Sequence, residues 1–505
     1  MPENFRPVER HGIHVFKPIR IQKFKVYLLF DVRIKNIIKS LPLNPKNTNV
    51  KKHLTEQTIM FASVAKWIVL SSLIGAMIGS VVAFFLKLLA YGEANRGILP
   101  FDYYYLLPFT LMVAVFLVRK FAPAAEGHGT EKVIEAVHKH SGKMDFAVVP
   151  VKLLSTALTI FSGGSVGKEG PSAQIGAASA SLIATVLKFK TKDREKVVIC
   201  GISAGFASVF GTPIAGAIFG VEILIVGALM YDVLLPSIVS GFAAFYAAKF
   251  FGIEYTYFDI SFYSTLDFDF FLLLKVIIGG IFFGLVADFF ITVIRGSHAY
   301  IDTLRIHYLL KAFGGGLFLV LLTFIVGEQY LGLGFSTIQD ALSSKSSEFD
   351  TVPEYAFILK SLFTAVTLGS GGSGGVITPI FFIGATSGNF FGHIVGGDIP
   401  FFAALGFVSV LAGTTNAPIA AMILSVELFG MNVTHYAALA IIISFLMTGH
   451  RSVFPSQVLA MKKSEALDVK IGDEIVNADA THTTRFFKNM QKIFGTAIAK
   501  LSRPK

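Results

Sequence analysis

The sequence contains one cysteine and one tryptophan, and only 15% of its residues are charged. With Cys200 as the single cysteine, the chain has neither an internal disulfide nor a site built from several cysteine ligands. The charged fraction lies well below the roughly 25% of an average soluble domain. Low charge, 53% hydrophobic residues and a mean hydropathy of +0.65 exclude an extended disordered chain and argue against a soluble protein.

Long apolar runs are present along most of the chain, and they predict an all-α polytopic membrane protein. The runs at 197–227 and 400–429 are too long for one crossing, whereas the run at 147–162 is too short. Such a mixture is typical of tilted, broken and re-entrant helices. The first strong membrane run starts near residue 58, and residues 1–25 do not have the pattern of a secretory signal peptide.

The net charge of +11 comes from the two ends of the chain. Residues 1–55 hold 12 Lys/Arg against 3 Asp/Glu, and residues 451–505 hold 10 against 5. Positive residues beside membrane segments are retained in the cytoplasm, so both termini are predicted to be cytoplasmic. The same charges attract anionic lipid. Because neither end contains a recognition module, we expect no nucleic-acid partner.

These patterns divide the chain into three parts. Residues 1–57 form a basic cytoplasmic segment, in which residues 24–41 have the spacing of a short amphipathic helix. Residues 58–460 form the membrane domain. Residues 461–505 form a short cytoplasmic tail, too short for a large regulatory domain.

The strongest pattern is an internal repeat. GGSVGKEGPSAQIGA (163–177) matches GGSGGVITPIFFIGA (371–385) at eight positions with an offset of 208. A second pair, TPIAGAIFGVEIL (212–224) and APIAAMILSVELF (417–429), follows in the same order with an offset of 205. Two echoes in the same order at nearly the same offset predict a duplicated architecture.

The duplicated halves cover about 60–250 and 270–450. The sequence alone leaves their relative orientation open, although repeats in transporters are commonly inverted, with substrate held at broken helices where the halves meet. Glu222 and Glu427 recur in both halves. Repetition favours a structural role for them, through capping or bonding to the backbone, over unique chemistry.

Each segment of the first pair is a glycine-rich run followed by proline and an apolar run. Proline fits the first turn of a helix, so these segments predict helix N-termini at membrane depth. Such termini carry unpaired N–H groups and about half a positive charge, which suit a desolvated anion. Glu169 lies in the first of them. Its carboxylate is itself an anion and would compete with a transported anion until protonation removes that competition.

Two other classes of site fit poorly. The segment SGGSVGKEG departs from a nucleotide-binding P-loop at both ends, with Ser162 in place of glycine and Glu169 after Lys168. A membrane-embedded enzyme would need an acid/base pair, a metal cluster or a nucleophile triad, and its nearest candidates, His138 and His140, lie in a polar stretch without a carboxylate cluster. The chain is therefore predicted not to be an enzyme and to need no metal.

At these residues the sequence resembles the CLC family of chloride channels and chloride/proton antiporters. The segment 167–171, GKEGP, matches that family's G-K/R-E-G-P motif fully, and the segment 371–379, GGSGGVITP, resembles its GSGG…GxFxP motif. The segment 450–457, HRSVFPSQ, resembles the one that carries the family's anion-facing tyrosine, with Phe454 in that place. The resemblance covers about 60–460.

The resemblance implies two inverted repeats, a homodimer and one anion pathway in each subunit. Glu169 would be the external gating glutamate, and the anion-binding residues would be Gly127, His128, Gly129, Lys168, Gly170, Val376, Ile377 and Phe454. Bound chloride is expected, with no other cofactor. The short tail and the lack of targeting signals suggest a prokaryotic inner membrane.

Three departures from the family pattern matter. His128 replaces the anion-binding serine of a GSGIP motif, and its ring N–H can still donate to an anion. Phe454 has no hydroxyl to donate. Ile223 occupies the position at which many antiporters of the family carry an internal proton glutamate. The sequence therefore leaves open whether the protein exchanges anions for protons or conducts anions passively through a pH-sensitive gate.

Overall fold

The computed structural model describes residues 48–98, 100–255, 270–343, 352–478 and 481–482. The described part of the chain is mostly helical. Its α-helices are α1 Thr48–Ala94, α2 Leu107–Phe121, α3 Thr130–His140, α4 Val148–Phe161, α5 Glu169–Val186, α6 Thr191–Phe210, α7 Pro213–Glu222, α8 Tyr231–Phe250, α9 Phe270–Thr303, α10 Tyr308–Val326, α11 Phe335–Leu342, α12 Ala356–Gly369, α13 Ile377–Val395, α14 Ile399–Thr415, α15 Pro418–Phe429 and α16 Met431–Met447. The predicted amphipathic helix at 24–41 and the tail beyond residue 482 lie outside the described residues.

Helix α1 begins at Thr48, about ten residues before the apolar run that marks it in the sequence. A helix continues as long as its backbone bonds and propensities allow, so its end need not coincide with the end of the hydrophobic stretch. The described residues up to Lys66 form the first part of α1, and the described residues from Trp67 onward belong to one compact unit.

The helices have very different lengths. Within the described residues, five apolar helical segments are long enough to cross a membrane, and six further apolar helices have only 10–17 residues. Helix α7, with 10 residues, extends only about 15 Å, half of a hydrocarbon core about 30 Å thick. The predicted mixture of long and re-entrant helices is confirmed.

The same order of eight helices occurs twice, first in α1–α8 and again in α9–α16. The halves meet at two glycines 208 positions apart: Gly167 N–H donates to Gly375 O over 2.7 Å, and Gly375 N–H donates to Gly167 O over 2.6 Å. This pairing is antiparallel. An antiparallel pairing of equivalent residues means that a local two-fold axis relates the two loops, as the predicted inverted repeats require.

Further reciprocal bonds surround this junction. Thr159 Oγ1 accepts the Ser373 N–H over 3.2 Å, and Thr367 Oγ1 accepts the Ser165 N–H over the same distance. Each threonine lies 208 positions from its counterpart, as does each serine. The two halves therefore bond to each other by a repeated set of contacts.

Glu222 and Glu427 join the halves at a second place. The Glu222 carboxylate accepts the N–H groups of Ile419 and Ala420 over 3.0 and 2.7 Å. The Glu427 carboxylate accepts those of Ile214 and Ala215 over 3.2 and 2.7 Å. Each glutamate thus caps the N-terminus of a helix in the opposite half, α15 or α7, which is the backbone-bonding role that the repeat suggested.

The C-terminal segment, residues 450–478, packs against the helices. Strand β2, Val458–Leu459, pairs in parallel with strand β1, Ile225–Val226, which follows α7. Val226, Leu459 and Ile475 are buried in a small apolar cluster there. This packing carries Phe454 and its neighbours into the interior of the molecule.

Candidate anion site at the repeat junction

Three loops converge where the halves meet. They are the loop before α3, which contains Gly127 to Gly129, the loop before α5 and the loop before α13. A Cβ atom on Gly129 would lie 2.6 Å from Gly170 O, and one on Gly170 would lie 3.1 Å from Gly375 Cα. Only residues without side chains allow the three backbones to approach this closely.

Two helices begin at this convergence. Helix α5 begins at Glu169 after the N-cap residue Lys168, and α13 begins at Ile377 after Val376. Neither N-cap side chain bonds to the backbone of its helix. The first-turn N–H groups and the positive ends of both helix dipoles are therefore directed to one buried region, as an anion site requires.

The Glu169 carboxylate lies at the start of α13. Its Oε2 accepts the Thr378 N–H over 3.1 Å, and the Thr378 hydroxyl lies 2.7 Å from both carboxylate oxygens. Glu169 is only 2% exposed. The negative group of the first half thus occupies the N-terminus of a helix from the second half.

His128 contributes an imidazole that is buried beside these loops. Both of its ring nitrogens are buried without a hydrogen-bond partner among the described residues. Its ring meets the ring of His298 edge-on, with centroids 5.7 Å apart. His298 Nδ1 lies 2.9 Å from Ile294 O, which fixes that ring. Two imidazoles therefore lie beside the three converging loops. The sequence interpretation had named only one of them, His128.

Phe454, Lys168 and Ile223, the remaining predicted residues, have contacts of their own. Phe454 is fully buried, and its N–H donates to Ser452 Oγ over 3.0 Å. The Lys168 ammonium lies 4.9 Å from the centre of the Phe335 ring, so its side chain extends toward α11. Ile223 is buried at the end of α7, and its carbonyl accepts the Gln457 side-chain amide over 2.8 Å.

The histidines considered as metal ligands do not form a metal site. His138 Nε2 lies 2.9 Å from Leu224 O. The described residues contain no group of three or more His, Cys, Asp or Glu side chains placed to hold a metal ion. His138 instead joins α3 to the end of α7.

Sequence reasoning missed two fully buried lysines. Lys152 Nζ donates to the carbonyls of Ala125 and Gly127 over 3.0 and 2.7 Å, and Lys360 Nζ donates to those of Tyr330 and Gly332 over 3.0 and 2.8 Å. Both side chains are inaccessible to solvent. Their spacing of 208 residues is that of the repeat, so extending the repeat backward would have found them.

Thr378 and Glu131 were also missed. Thr378 lies inside the segment 371–379, and Glu131 follows the predicted residue Gly129 by two positions. Glu131 follows the glycines before α3, and its Oε1 accepts the Ser456 N–H over 2.9 Å and is also bonded by the Ser456 hydroxyl. It therefore joins the C-terminal segment that contains Phe454 to helix α3, which follows the loop that contains His128.

Comparison with known proteins agrees with this architecture. The family described as "Voltage gated chloride channel" matches residues 110–449. A chloride/fluoride channel protein from Pseudomonas syringae pv. tomato is 33% identical over 418 residues, which cover 81% of this chain and 90% of that protein.

Solved structures are similar as well. The crystal structure of a CLC-type fluoride/proton antiporter has 27% sequence identity and a TM-score of 0.73 over 78% of this chain and 98% of that chain. A slow cyanobacterial Cl⁻/H⁺ antiporter has 20% identity and a TM-score of 0.64 over 76% of this chain and 94% of that chain, which shows the shared fold. The family match covers more than half of the sequence, and the chain belongs to the voltage-gated chloride channel, or CLC, family.

Proposed function

We propose that this protein carries chloride or a similar small anion along the repeat junction, with Glu169 as the gate. Members of its family are anion channels or transporters and are not enzymes. The observation that carries the gating proposal is the bond between the Glu169 carboxylate and the Thr378 N–H at the start of α13. A carboxylate bound there blocks the same donor that a transported anion would use.

Gating then follows from competition between two anions. While Glu169 is ionised, it holds the Thr378 N–H and hydroxyl. Once protonated, it no longer competes as an anion. Chloride can then bind the freed Thr378 N–H and the N–H groups of Gly170, Val376 and Ile377, together with His128. Anion flux is therefore expected to rise as the pH falls.

We further propose that anion movement is coupled to proton movement in the opposite direction. Glu169 can carry a proton when an anion displaces it, so each gating cycle offers a proton-binding step. The relative with 27% identity is called a fluoride/proton antiporter, which supports the coupled mode. Passive conduction through a pH-sensitive gate is the competing outcome, and Ile223 is the residue that favours it.

The transported ion is proposed to be chloride, with fluoride as the second candidate. The relative with 33% identity is called a chloride/fluoride channel protein, which supports either ion. His128 offers a ring N–H in place of a hydroxyl, and Phe454 offers no hydroxyl, so the contacts that discriminate anions are supplied by the backbone and one imidazole.

We also propose a homodimer with one anion pathway in each subunit, in a prokaryotic inner membrane with both termini in the cytoplasm. The basic ends of the chain support this orientation. Proteolysis of right-side-out vesicles tests it: the ends should resist external protease, and cleavage from outside would contradict the proposed topology.

The proposed function is tested with the purified protein in sealed liposomes. An outward gradient of chloride, or separately of fluoride, is imposed without an initial pH gradient, and anion release and external pH are recorded with and without an uncoupler. Anion release with uphill proton movement supports exchange, and anion release without proton movement supports passive conduction. No release of either anion would contradict the proposal.

A further inference from the structure

Glu131, which is half-buried, differs from the other carboxylates at and near the repeat junction. Both carboxylate oxygens of Glu169, Glu222 and Glu427 have hydrogen-bond donors within 3.2 Å. Glu131 bonds only through Oε1, to Ser456, and its Oε2 is buried without a partner among the described residues. A buried carboxylate oxygen without a hydrogen-bond donor has a site ready for a proton.

None of the positively charged side chains described around Glu131 forms a salt bridge with its carboxylate. The nearby cations each bond elsewhere: Lys132 to Glu135 at 2.9 Å, Lys139 to Glu474 at 2.9 Å, Arg451 to Asp288 at 2.6 Å and Arg295 to Ser452 O at 3.0 Å. His298 is bonded to Ile294 O. Within the described residues, Glu131 forms no ion pair of its own, so protonation breaks no salt bridge.

Glu131 also lies close to the position that lacks a proton glutamate. Ser456, which bonds Glu131, precedes Gln457, whose amide donates to Ile223 O over 2.8 Å. His138 on the same helix as Glu131 reaches the next carbonyl, Leu224 O. Glu131 on α3 and Ile223 thus bond to two consecutive residues of the C-terminal segment, Ser456 and Gln457.

Buried polar side chains that lack hydrogen-bond partners within the described residues lie beside Glu131 in the chain. Thr130 Oγ1 and both ring nitrogens of His128 are buried without hydrogen-bond partners in the described part of the chain. These side chains stand on the segment that contacts Gly170, the residue after Glu169. A neutral imidazole can accept a proton on one nitrogen and release one from the other, which makes His128 the natural intermediate between the two carboxylates.

We propose that Glu131 is the inner proton acceptor of this transporter. Its Oε2 takes a proton from the side of the C-terminal segment, the proton passes to a His128 nitrogen, and Glu131 returns to its ionised form. The His128 ring then releases a proton to the Glu169 carboxylate, which frees Thr378 for an anion. This inference rests on the proposed coupled transport and adds the residue that would supply its protons.

The test measures proton and anion movement separately in liposomes for Glu131→Gln, with Glu135→Gln on the same helix as the matched control. Anion release reports that a variant is folded. We expect the ratio of protons to anions to fall about a hundredfold in Glu131→Gln, as for loss of a general acid–base group, and to stay at the wild-type value in Glu135→Gln. A wild-type ratio in Glu131→Gln overturns the inference.

Two further outcomes are decisive. Wild-type protein that releases anions without moving protons overturns this inference and leaves the proposed anion transport standing, whereas no anion release overturns the proposed function itself. If Glu131→Gln does not fold, Ser456→Ala serves instead, because it removes a donor that favours the ionised carboxylate. Half-maximal proton transport should then move to higher pH, and an unchanged midpoint contradicts the inference.

Discussion

Residue 169 is glutamate, and the equivalent residue of the second half, 208 positions later, is Ile377. Residue 170 is glycine, and its equivalent is Thr378. The two loops share their backbone path and pair with each other through Gly167 and Gly375. Glu169 bonds Thr378. The two side chains in contact at the proposed gate are therefore ones that differ between the halves.

Other side chains are the same in both halves. Lys152 and Lys360 each donate to two loop carbonyls, and Glu222 and Glu427 each cap a helix of the other half. Groups that occur twice hold loops and helix ends in place, whereas groups that occur once face the proposed anion path. The residues that are identical at equivalent positions of the two halves are therefore mainly structural, and the proposed transport residues are among those that differ.

The largest expected effect concerns the repeated lysines. Lys152→Met and Lys360→Met each leave two buried carbonyls without a donor, which should lower the free energy of unfolding by about 2–6 kcal/mol in either variant. Thermal unfolding in detergent, followed by size-exclusion chromatography, measures both. The exposed Lys192 provides the control, and Lys192→Met should change stability by less than about 0.5 kcal/mol. If only one of the two buried substitutions lowered the free energy of unfolding, the two lysines would not have equivalent structural roles in the two halves.

A smaller loss of stability is expected for the repeated glutamates. Glu222→Gln and Glu427→Gln each replace one carboxylate oxygen with an NH₂ group, which cannot accept the helix N–H. The free energy of unfolding should fall by about 1.5–3 kcal/mol in each variant. The same unfolding assay measures this loss. The pH profile of anion flux should stay as in the wild type for both. A changed profile in Glu222→Gln alone would show that a repeated residue also carries transport chemistry.

The smallest expected effect is on flux and comes from backbone approach. Gly170→Ala places a Cβ 3.1 Å from Gly375 Cα and against His128 O, so the three loops must separate. A rearrangement of about 1–3 kcal/mol corresponds to a loss of anion flux of about 5- to 150-fold. Gly314 on α10 has nothing within 4 Å of its added Cβ, and Gly314→Ala should keep wild-type flux. Equal flux in both variants would contradict close packing at the junction.

Much of this architecture could be predicted from the sequence, because hydrophobic runs and repeated motifs report helices and halves directly. The runs at 197–227 and 400–429 each contain two helices. The first is broken at Gly211, which has a positive φ of 71°, and Pro213 starts the next helix. Asn416, with a φ of 57°, precedes Pro418 in the same way. Hydropathy alone does not show these breaks, although the prolines mark them.

The site was predicted less completely. Glu169 was identified because a lone carboxylate between apolar runs is conspicuous, and its role as a gate stays a prediction. Thr378 was not identified, because a threonine in an apolar helix start has no pattern of its own. Glu131 was not identified because its bond to Ser456 joins residues 325 positions apart. Contacts of that kind depend on the packing of the whole chain.

The most direct test of the account compares chloride release from liposomes by the wild type, Glu169→Gln and Glu169→Ala across a range of pH. Lower pH protonates Glu169 and frees the Thr378 N–H, so wild-type release should rise as the pH falls. Both variants lack the competing carboxylate and should release chloride at a rate that no longer depends on pH, without proton coupling. Variants that keep the wild-type pH profile would contradict the assignment of Glu169 as the gate.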